Sequence, residues 1–321
     1  MPGLLRCRLR LDPASPLGTP LSSGTLFGHL AWAKRDRDGE AALTDWLDRL
    51  AAEPFALSDA LPADRLPRPL LPSPPPEPPQ KLTSEGLKKL EKEKDMRRRG
   101  FVTVAAWRSL CIGLSARKLK NGPEIENGLA AGSGLISARS PHNVIDRRNG
   151  QTPEQAGLWF ADENWPAADA TARDLYVRGT LPEAELAELL RRVGEQGYGR
   201  DASTGRGRFS LERIEDASWL DDAPQAGGQR RMLSLSHGTL TPNMLAPRYK
   251  QTVLFGKVGK AMLPDVERPW KLPVLLMLPG ATFAPADVGP FGAWLTGIHQ
   301  DRPEIGQNAF HLAIPYTEAA P

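Results

Sequence analysis

The sequence predicts an α+β fold of ferredoxin-like type, and three observations carry that reading. Residues 5–11 alternate strictly, with Leu5, Cys7, Leu9 and Leu11 set against Arg6, Arg8 and Arg10, the period of a strand with one face in a core. Two helical stretches follow that strand. In the second half a strand near Arg173, a helix opened by Pro182 and a glycine-rich loop leading into another strand repeat the strand–helix–strand grammar. A chain of 321 residues with 40% hydrophobic content buries a substantial core and is long enough for two domains.

Each element has a local reason. The arginine face of the first strand is either a solvated sheet surface or a track for a phosphate backbone. The stretch Ser-Pro-Leu-Gly-Thr-Pro at 15–20 makes a loop, Ser22 or Ser23 supplies a cap, and 25–33 reads as a short apolar helix. Leu43, Trp46, Leu47 and Leu50 recur at helical spacing and predict a second helix. Proline dominates 66–79, which predicts an extended connector into an exposed insertion over 81–100. The lysines and arginines of that insertion either solvate it or form an arm over RNA or a partner. Residues 101–110 return to strand-like sequence. Beyond them lie a strand from 173, a helix carrying Leu186, Leu189, Leu190 and Val193, and strands at 209–214, 232–236, 251–255, 274–278 and 310–314.

Composition removes several classes of function. No apolar run reaches the length of a membrane span and the N-terminus lacks a signal-peptide core, so a cytoplasmic protein is expected. Cys7 and Cys111 stand alone, and the five histidines share no ligand spacing, so no metal site, disulfide framework or cofactor is indicated. Net charge is only +3, but 223–264 holds no acid while containing Arg230, Arg231, Arg248, Lys250, Lys257 and Lys260. That block predicts a basic surface for a polyanion.

The densest chemical signal is 197–209, Gly-Tyr-Gly-Arg-Asp-Ala-Ser-Thr-Gly-Arg-Gly-Arg-Phe. Two Gly-x-Gly pairs permit positive φ and close approach of a ligand to the backbone, and Arg200, Arg206 and Arg208 set cations beside the amides. The alternative is a flexible surface loop. It is not a nucleotide P-loop, lacking a closing Gly-Lys-Ser/Thr, nor a Rossmann turn, since it runs from a helix into a strand. Tyr198, Phe209 and Phe255 are candidate stacking faces for splayed bases, with core packing as the competing role. His142, Asn143, Arg147 and Arg148 form a polar cluster suited to RNA or to a solvated loop.

Taken together, Gly197-Tyr-Gly with Gly205-Arg-Gly-Arg-Phe, Thr25-Leu-Phe-Gly-His-Leu, Ser140-Pro-His-Asn-Val-Ile-Asp-Arg and Leu254-Phe-Gly-Lys-Val-Gly form an ordered set. The set resembles the RAMP superfamily of CRISPR RNA-binding proteins, and within it the fourth subunit of type III-A (Csm) effector complexes. The resemblance implies two ferredoxin-like (RRM-like) domains, at 1–165 with the insertion at about 66–100, and at 166–321 with the glycine-rich loop at 197–208. It implies a non-catalytic subunit that grips the repeat-derived 5′ handle of crRNA and contacts the large polymerase-like subunit and the first backbone subunit. No membrane and no small-molecule substrate belong to that role. The RNA contacts it implies fall on Ser22, Ser23, Thr25 and His29; on Arg139, His142, Asn143, Arg147 and Arg148; and on Gly197, Tyr198, Gly199, Arg200, Ser203, Thr204, Gly205, Arg206, Gly207 and Arg208. A last group is Phe255, Gly256, Lys257, Gly259 and Lys260. Arg206 stands where the superfamily often has an apolar residue, and the proline-rich segment is longer than the family pattern.

The rival reading is a metal-independent RAMP endoribonuclease that processes precursor crRNA, with His29 or His142 as general acid or base. Against it, His29 lies in an apolar helix where a histidine satisfied by one hydrogen bond is the commoner case, and neither histidine has a sequence neighbour that would tune it. Asp59, Asp146 and Asp201 are isolated carboxylates, a poor basis for two-metal nuclease chemistry. A scaffold contacting only protein leaves the acid-free basic stretch unexplained.

Overall fold

The computed structural model describes residues 3–72, 91, 100–121, 129–130, 132–153, 155, 157–222, 224–225 and 227–319. In chain order the elements are β1 (Leu5–Leu11), α1 (Ser23–Asp38), α2 (Glu40–Arg49), β2 (Ala56–Leu57), β3 (Leu61–Pro62) and β4 (Arg65–Pro67). Next come β5 (Phe101–Thr103), α3 (Val104–Leu110), α4 (Ala116–Asn121), β6 (Leu129–Ala130), β7 (Leu135–Asn143) and β8 (Leu158–Pro166). They are followed by β9 (Ala172–Arg178), α5 (Glu183–Gln196), β10 (Phe209–Asp216), β11 (Gln229–Ser234), β12 (Met244–Arg248) and β13 (Gln251–Leu254). The last five strands are β14 (Val274–Met277), β15 (Thr282–Pro285), β16 (Gly292–Leu295), β17 (Gln307–Phe310) and β18 (Ala313–Glu318).

The first sheet runs β10-β1-β9-β2, with β3 also on β9. Its strands therefore lie in the order fourth, first, third, second, with α1 following the first and α5 following the third. This is one ferredoxin-like βαββαβ unit spread over residues 5–216. The division expected at residue 166 runs through this sheet. Arg173 to Val177 are all buried, which suits only a central strand, and β9 pairs with β1 on one side and with β2 and β3 on the other. The glycine loop, between α5 and β10, thus completes the N-terminal sheet instead of belonging to a C-terminal one. The second sheet, β12-β15-β11-β18, repeats the strand order, but among the described residues no α-helix crosses it. The two hairpins β13/β14 and β16/β17 occupy its connections.

Helices α1, α2 and α5 form where the apolar spacing predicts them. α1 continues past the expected 25–33 because Lys34 binds Asp38 one turn on (3.0 Å) and Glu185 of α5 (2.6 Å). Leu26, Phe27 and Leu30 on one helix face pack with Trp46, Phe55 and the buried leucines of α5. Two expectations shift. The strand-like stretch 101–110 is a strand for only three residues, since Thr103 Oγ1 accepts the Ala106 N–H (3.2 Å) and starts α3. The strand expected at 310–314 is two strands, β17 and β18, broken at His311 and Leu312. The insertion over 81–100 lies, apart from Glu91 and Gly100, outside the described residues.

The arginine face of β1 is not a phosphate track. Arg6 binds Asp64 (3.0 Å) and Glu215, Arg8 binds Asp174 (2.5 Å) and Asp64 (2.9 Å), and Arg10 binds Glu212. Asp174 is fully buried and Arg8 nearly so, which makes their pair the buried centre of this ion-pair face, while Arg10 and Asp64 stay largely exposed.

Candidate nucleic-acid interface

Helix α5 runs out at Gly197 and the chain wraps into a closed loop. The Tyr198 N–H donates to Gly207 O (3.0 Å), the Gly207 N–H to Pro16 O (3.0 Å), and the Arg208 N–H to Ser15 Oγ (2.9 Å), whose hydroxyl donates to Gly205 O (2.7 Å). The Gly199 N–H donates to His29 Nε2 (3.0 Å) and the Arg200 N–H to Thr19 Oγ1 (2.9 Å). Gly207 sits at φ +71°, and a Cβ there would lie 2.1 Å from Tyr198 O, so the return of the chain demands glycine at this point. These amides are engaged within the protein. The loop therefore presents a ligand with side chains more than with the open cradle of amides that its glycines suggest.

Those side chains divide into two sets. Tyr198 is fully buried, its hydroxyl donating to Pro20 O (2.7 Å) and its ring 4.8 Å from that of His29, and Phe209 is buried too; both are core and not stacking faces. Ser203, Thr204 and Arg208 are exposed, and Arg200, also exposed, is steadied by Asp162 O (2.6 Å) and by the Asp201 carboxylate (3.3 Å). Arg206 turns the other way. Its guanidinium holds Oε1 of Glu163 on β8 (2.6 and 2.5 Å) and donates to Thr204 Oγ1 (2.9 Å), while Ser140 Oγ donates to the other oxygen of Glu163 (2.6 Å). Burial works against a charge on Glu163, but Ser140 and Arg206 outweigh it and hold the carboxyl below its usual pKa.

Glu163 ties the loop to the long β7/β8 hairpin, whose tip carries the polar cluster His142, Asn143, Arg147 and Arg148. Leu17 bridges Asn164 at the same place, with N–H to O distances of 2.9 and 3.0 Å. Alternation along the strands puts His142 and Trp159, paired across the hairpin, on the face that carries Ser140 and Glu163. Their rings are stacked at 5.5 Å and 15°. On the opposite face Arg139 lies over Phe160 (5.1 Å) and 3.6 Å from Asp162. Trp159 and Phe160 stay about half exposed, with the exposed Leu158 beside them, and Ile136 is exposed at the far end of the hairpin. At the end of β7, Asn143 Nδ2 donates to Thr152 Oγ1 (3.3 Å), and in the turn beyond it the Arg148 N–H donates to Asp146 Oδ1 (2.9 Å) and Arg147 is exposed. Trp159, Phe160 and Glu163 were missed from sequence, although Leu-Trp-Phe at 158–160 is an apolar triplet that could have signalled a strand.

The start of α1 completes the arrangement. Ser22 Oγ donates to Thr25 Oγ1 (3.1 Å) and does not cap the helix. Asp59 takes that part, accepting the Ser23 N–H (3.0 Å) and, through its other oxygen, Nδ1 of His237 (2.7 Å), while Ser23 Oγ donates to His237 O (3.1 Å). Burial pulls the pKa of His29 down to about 4, so near neutral pH it is an uncharged acceptor for the loop. The last motif lies elsewhere on α1. Gly259 packs against Trp32, where a Cβ would approach the indole to 2.2 Å, Lys257 stands 5.7 Å over Trp270, and Phe255 is 64% exposed next to Gly256. Lys260 begins a 3-10 turn there. The acid-free block is not one basic surface, because buried Arg231 (2.9 Å) and Arg248 (2.8 Å) both bind Glu318.

No protein-family model and no curated protein matches the sequence. Solved structures do. A chain of the Csm1–Csm4 cassette in complex with pppApA superposes with a TM-score of 0.56 at 16% identity, covering 98% of this chain and 99% of that one. A chain of the Csm3–Csm4 subcomplex of the type III-A CRISPR-Cas interference complex gives 0.56 at 15% identity, covering 94% and 99%. The fold is thus shared with a chain of each of these two assemblies. The cassette with one ATP superposes over 99% of both chains, at a TM-score of 0.54, so the likeness takes in both sheets and their hairpins.

Proposed function

We propose that this chain is a non-catalytic RNA-binding subunit of a type III-A CRISPR interference complex. It grips the repeat-derived 5′ handle of crRNA and links the large polymerase-like subunit to the first backbone subunit in antiviral defence. Fold likeness to chains solved with Csm1 and with Csm3 supports the assembly. The observation that carries RNA binding is the joint between loop and hairpin. Through Arg206, Glu163 and Ser140 it sets the exposed Arg200, Ser203, Thr204 and Arg208 beside a hairpin bearing the His142–Trp159 stack and the Arg139–Phe160 pair. Single-stranded RNA is held by just this combination of cations for the phosphates and flat faces for unstacked bases. Nucleolytic chemistry finds less support, since His29 Nε2 already accepts an amide and the ring of His142 is stacked on Trp159.

The test is co-expression with the other subunits of such a complex and a CRISPR array, followed by sequencing of the co-purified RNA. A small RNA with a uniform 5′ end is expected, and it is lost when Arg200 and Arg208 are both changed to Ala in a complex that still assembles. An assembled complex whose RNA is unchanged by that double substitution overturns the reading.

A further inference from the structure

A pocket of about 270 Å³ lies among the loop before α1, strand β3, the β4/β5 pair and the turn before β15. Its wall is apolar, with Leu21, Leu61, Pro67, Phe101 and Leu135, and Arg173 of β9 also lines it. Arg173 is only 2% exposed. Its Nη2 has no hydrogen-bond partner, and Nη1 makes one long contact, 3.4 Å to Ala172 O. Among the described residues no carboxylate pairs with it. Its neighbour Asp174 is bound to Arg8, and Asp59, the one acid lining the pocket, is held by Ser23 and His237. A buried guanidinium with no charged partner and one donor unsatisfied is a substantial cost to the fold. Burial, with the charge of Arg65 added, lowers its pKa to about 10, which still leaves it charged at neutral pH.

A charged arginine on the wall of an apolar pocket, with a donor unsatisfied, calls for an oxyanion attached to a flat or greasy body. The volume sits at the lower end of ordinary ligand pockets, roughly 300 Å³, which suits one nucleotide and not a length of strand. We propose that this pocket binds a single nucleotide, its phosphate paired with Arg173 and its ring against Leu21, Leu61 and Phe101. The nucleotide comes either free from solution or turned inward from a bound RNA. The inference stands apart from the RNA-binding reading, because it rests on the pocket and its unpaired arginine alone.

The experiment measures thermal stability and calorimetric binding of the full chain with AMP, GMP, CMP and UMP, and separately with a short single-stranded RNA. The same measurements are made on Arg173→Met, which keeps the apolar packing, and on Arg173→Lys, which keeps the charge but loses the fork. Arg173→Met is expected to raise the melting temperature of the empty protein while weakening ligand binding by about tenfold or more, the worth of a charged hydrogen bond. Stabilisation of wild type by a monophosphate identifies a free nucleotide as occupant. Stabilisation by RNA only, weakened in Arg173→Met, identifies a nucleotide of the strand. If Arg173→Met does not fold, the Lys variant carries the test, with the same loss expected. No response to any of these ligands, or an equal response in the variants, overturns the proposal. In that case RNA binding that still depends on Arg208 leaves the wider function standing.

Discussion

Gly205 and Gly207 look alike in sequence and differ in what they do. Both have positive φ, but a Cβ at Gly205 meets nothing within 4 Å, whereas one at Gly207 strikes the Tyr198 backbone. Gly205→Ala should therefore cost about 1–2 kcal/mol, the left-handed penalty alone. Gly207→Ala should cost at least about 2 kcal/mol more, read as urea midpoints at unchanged m-value. Arg206 and Arg208 form a second contrast. Arg206→Ala strands a carboxylate that is 2% exposed and should destabilise by about 3 kcal/mol or more, while Arg208→Ala should leave stability within about 0.5 kcal/mol. The pH dependence follows from Glu163. Its pKa is depressed in the fold, so its contribution is complete above its ordinary value of 4.5 and is lost as pH falls through the depressed one. In Arg206→Ala the hydrogen bond and charge of Arg206 that sustain that depression are gone and burial favours the protonated acid, so the acid-side fall of the urea midpoint should shrink or reverse. The presence of an arginine-bearing glycine loop was readable from residues alone; which arginine faces inward was not, because Glu163 reaches it from a strand far away in sequence.

At the level of elements, what could be read was what is locally periodic. α2 and α5 announce themselves by leucine spacing, and β1 by alternation, because each has one face in the core. The β7/β8 hairpin escaped because its strands are exposed on both faces over most of their length and carry Pro141 and several charges, so no alternation marks them. The place of β9 escaped for another reason. Its partner β2 precedes it by a long insertion, and only pairing in space shows that the two belong to one sheet. The hairpin's exposure has a consequence for binding. Trp159→Ala should leave stability nearly unchanged yet weaken single-stranded RNA by about 1–3 kcal/mol, the worth of one stacked base, as measured by fluorescence anisotropy. The clamp between α1 and the second half gives a separate pH signature. Burial opposes a charge on His237, but Asp59 prevails and raises its pKa above 6.5. Stability from this pair is therefore complete below pH 6.5 and is lost as pH rises through the raised value. Asp59→Asn should flatten that decline in thermal melts.

For the whole molecule, charge is the quantity that separates a built RNA groove from general basicity. With a net charge of only +3, long-range attraction for a polyanion is weak. Many of the arginines are also neutralised internally: Arg6, Arg8 and Arg10 on β1, Arg206 on Glu163, and Arg231 with Arg248 on Glu318. What remains facing outward around the loop and hairpin is Arg139, Arg147, Arg148, Arg200 and Arg208. Each phosphate neutralised on a single strand contributes about 0.7 to the slope of log affinity against log salt, so these five should give a slope of about −3.5. Arg208→Ala should make it shallower by about 0.7, whereas Trp159→Ala should lower affinity at every salt concentration with the slope unchanged. Anisotropy titrations of one RNA across a salt series read both effects together. A slope several times steeper than about −3.5 would mean that the ion pairs of β1 and Glu163 open to receive the strand, and a slope near zero would mean that the cations of the loop do not meet phosphates at all.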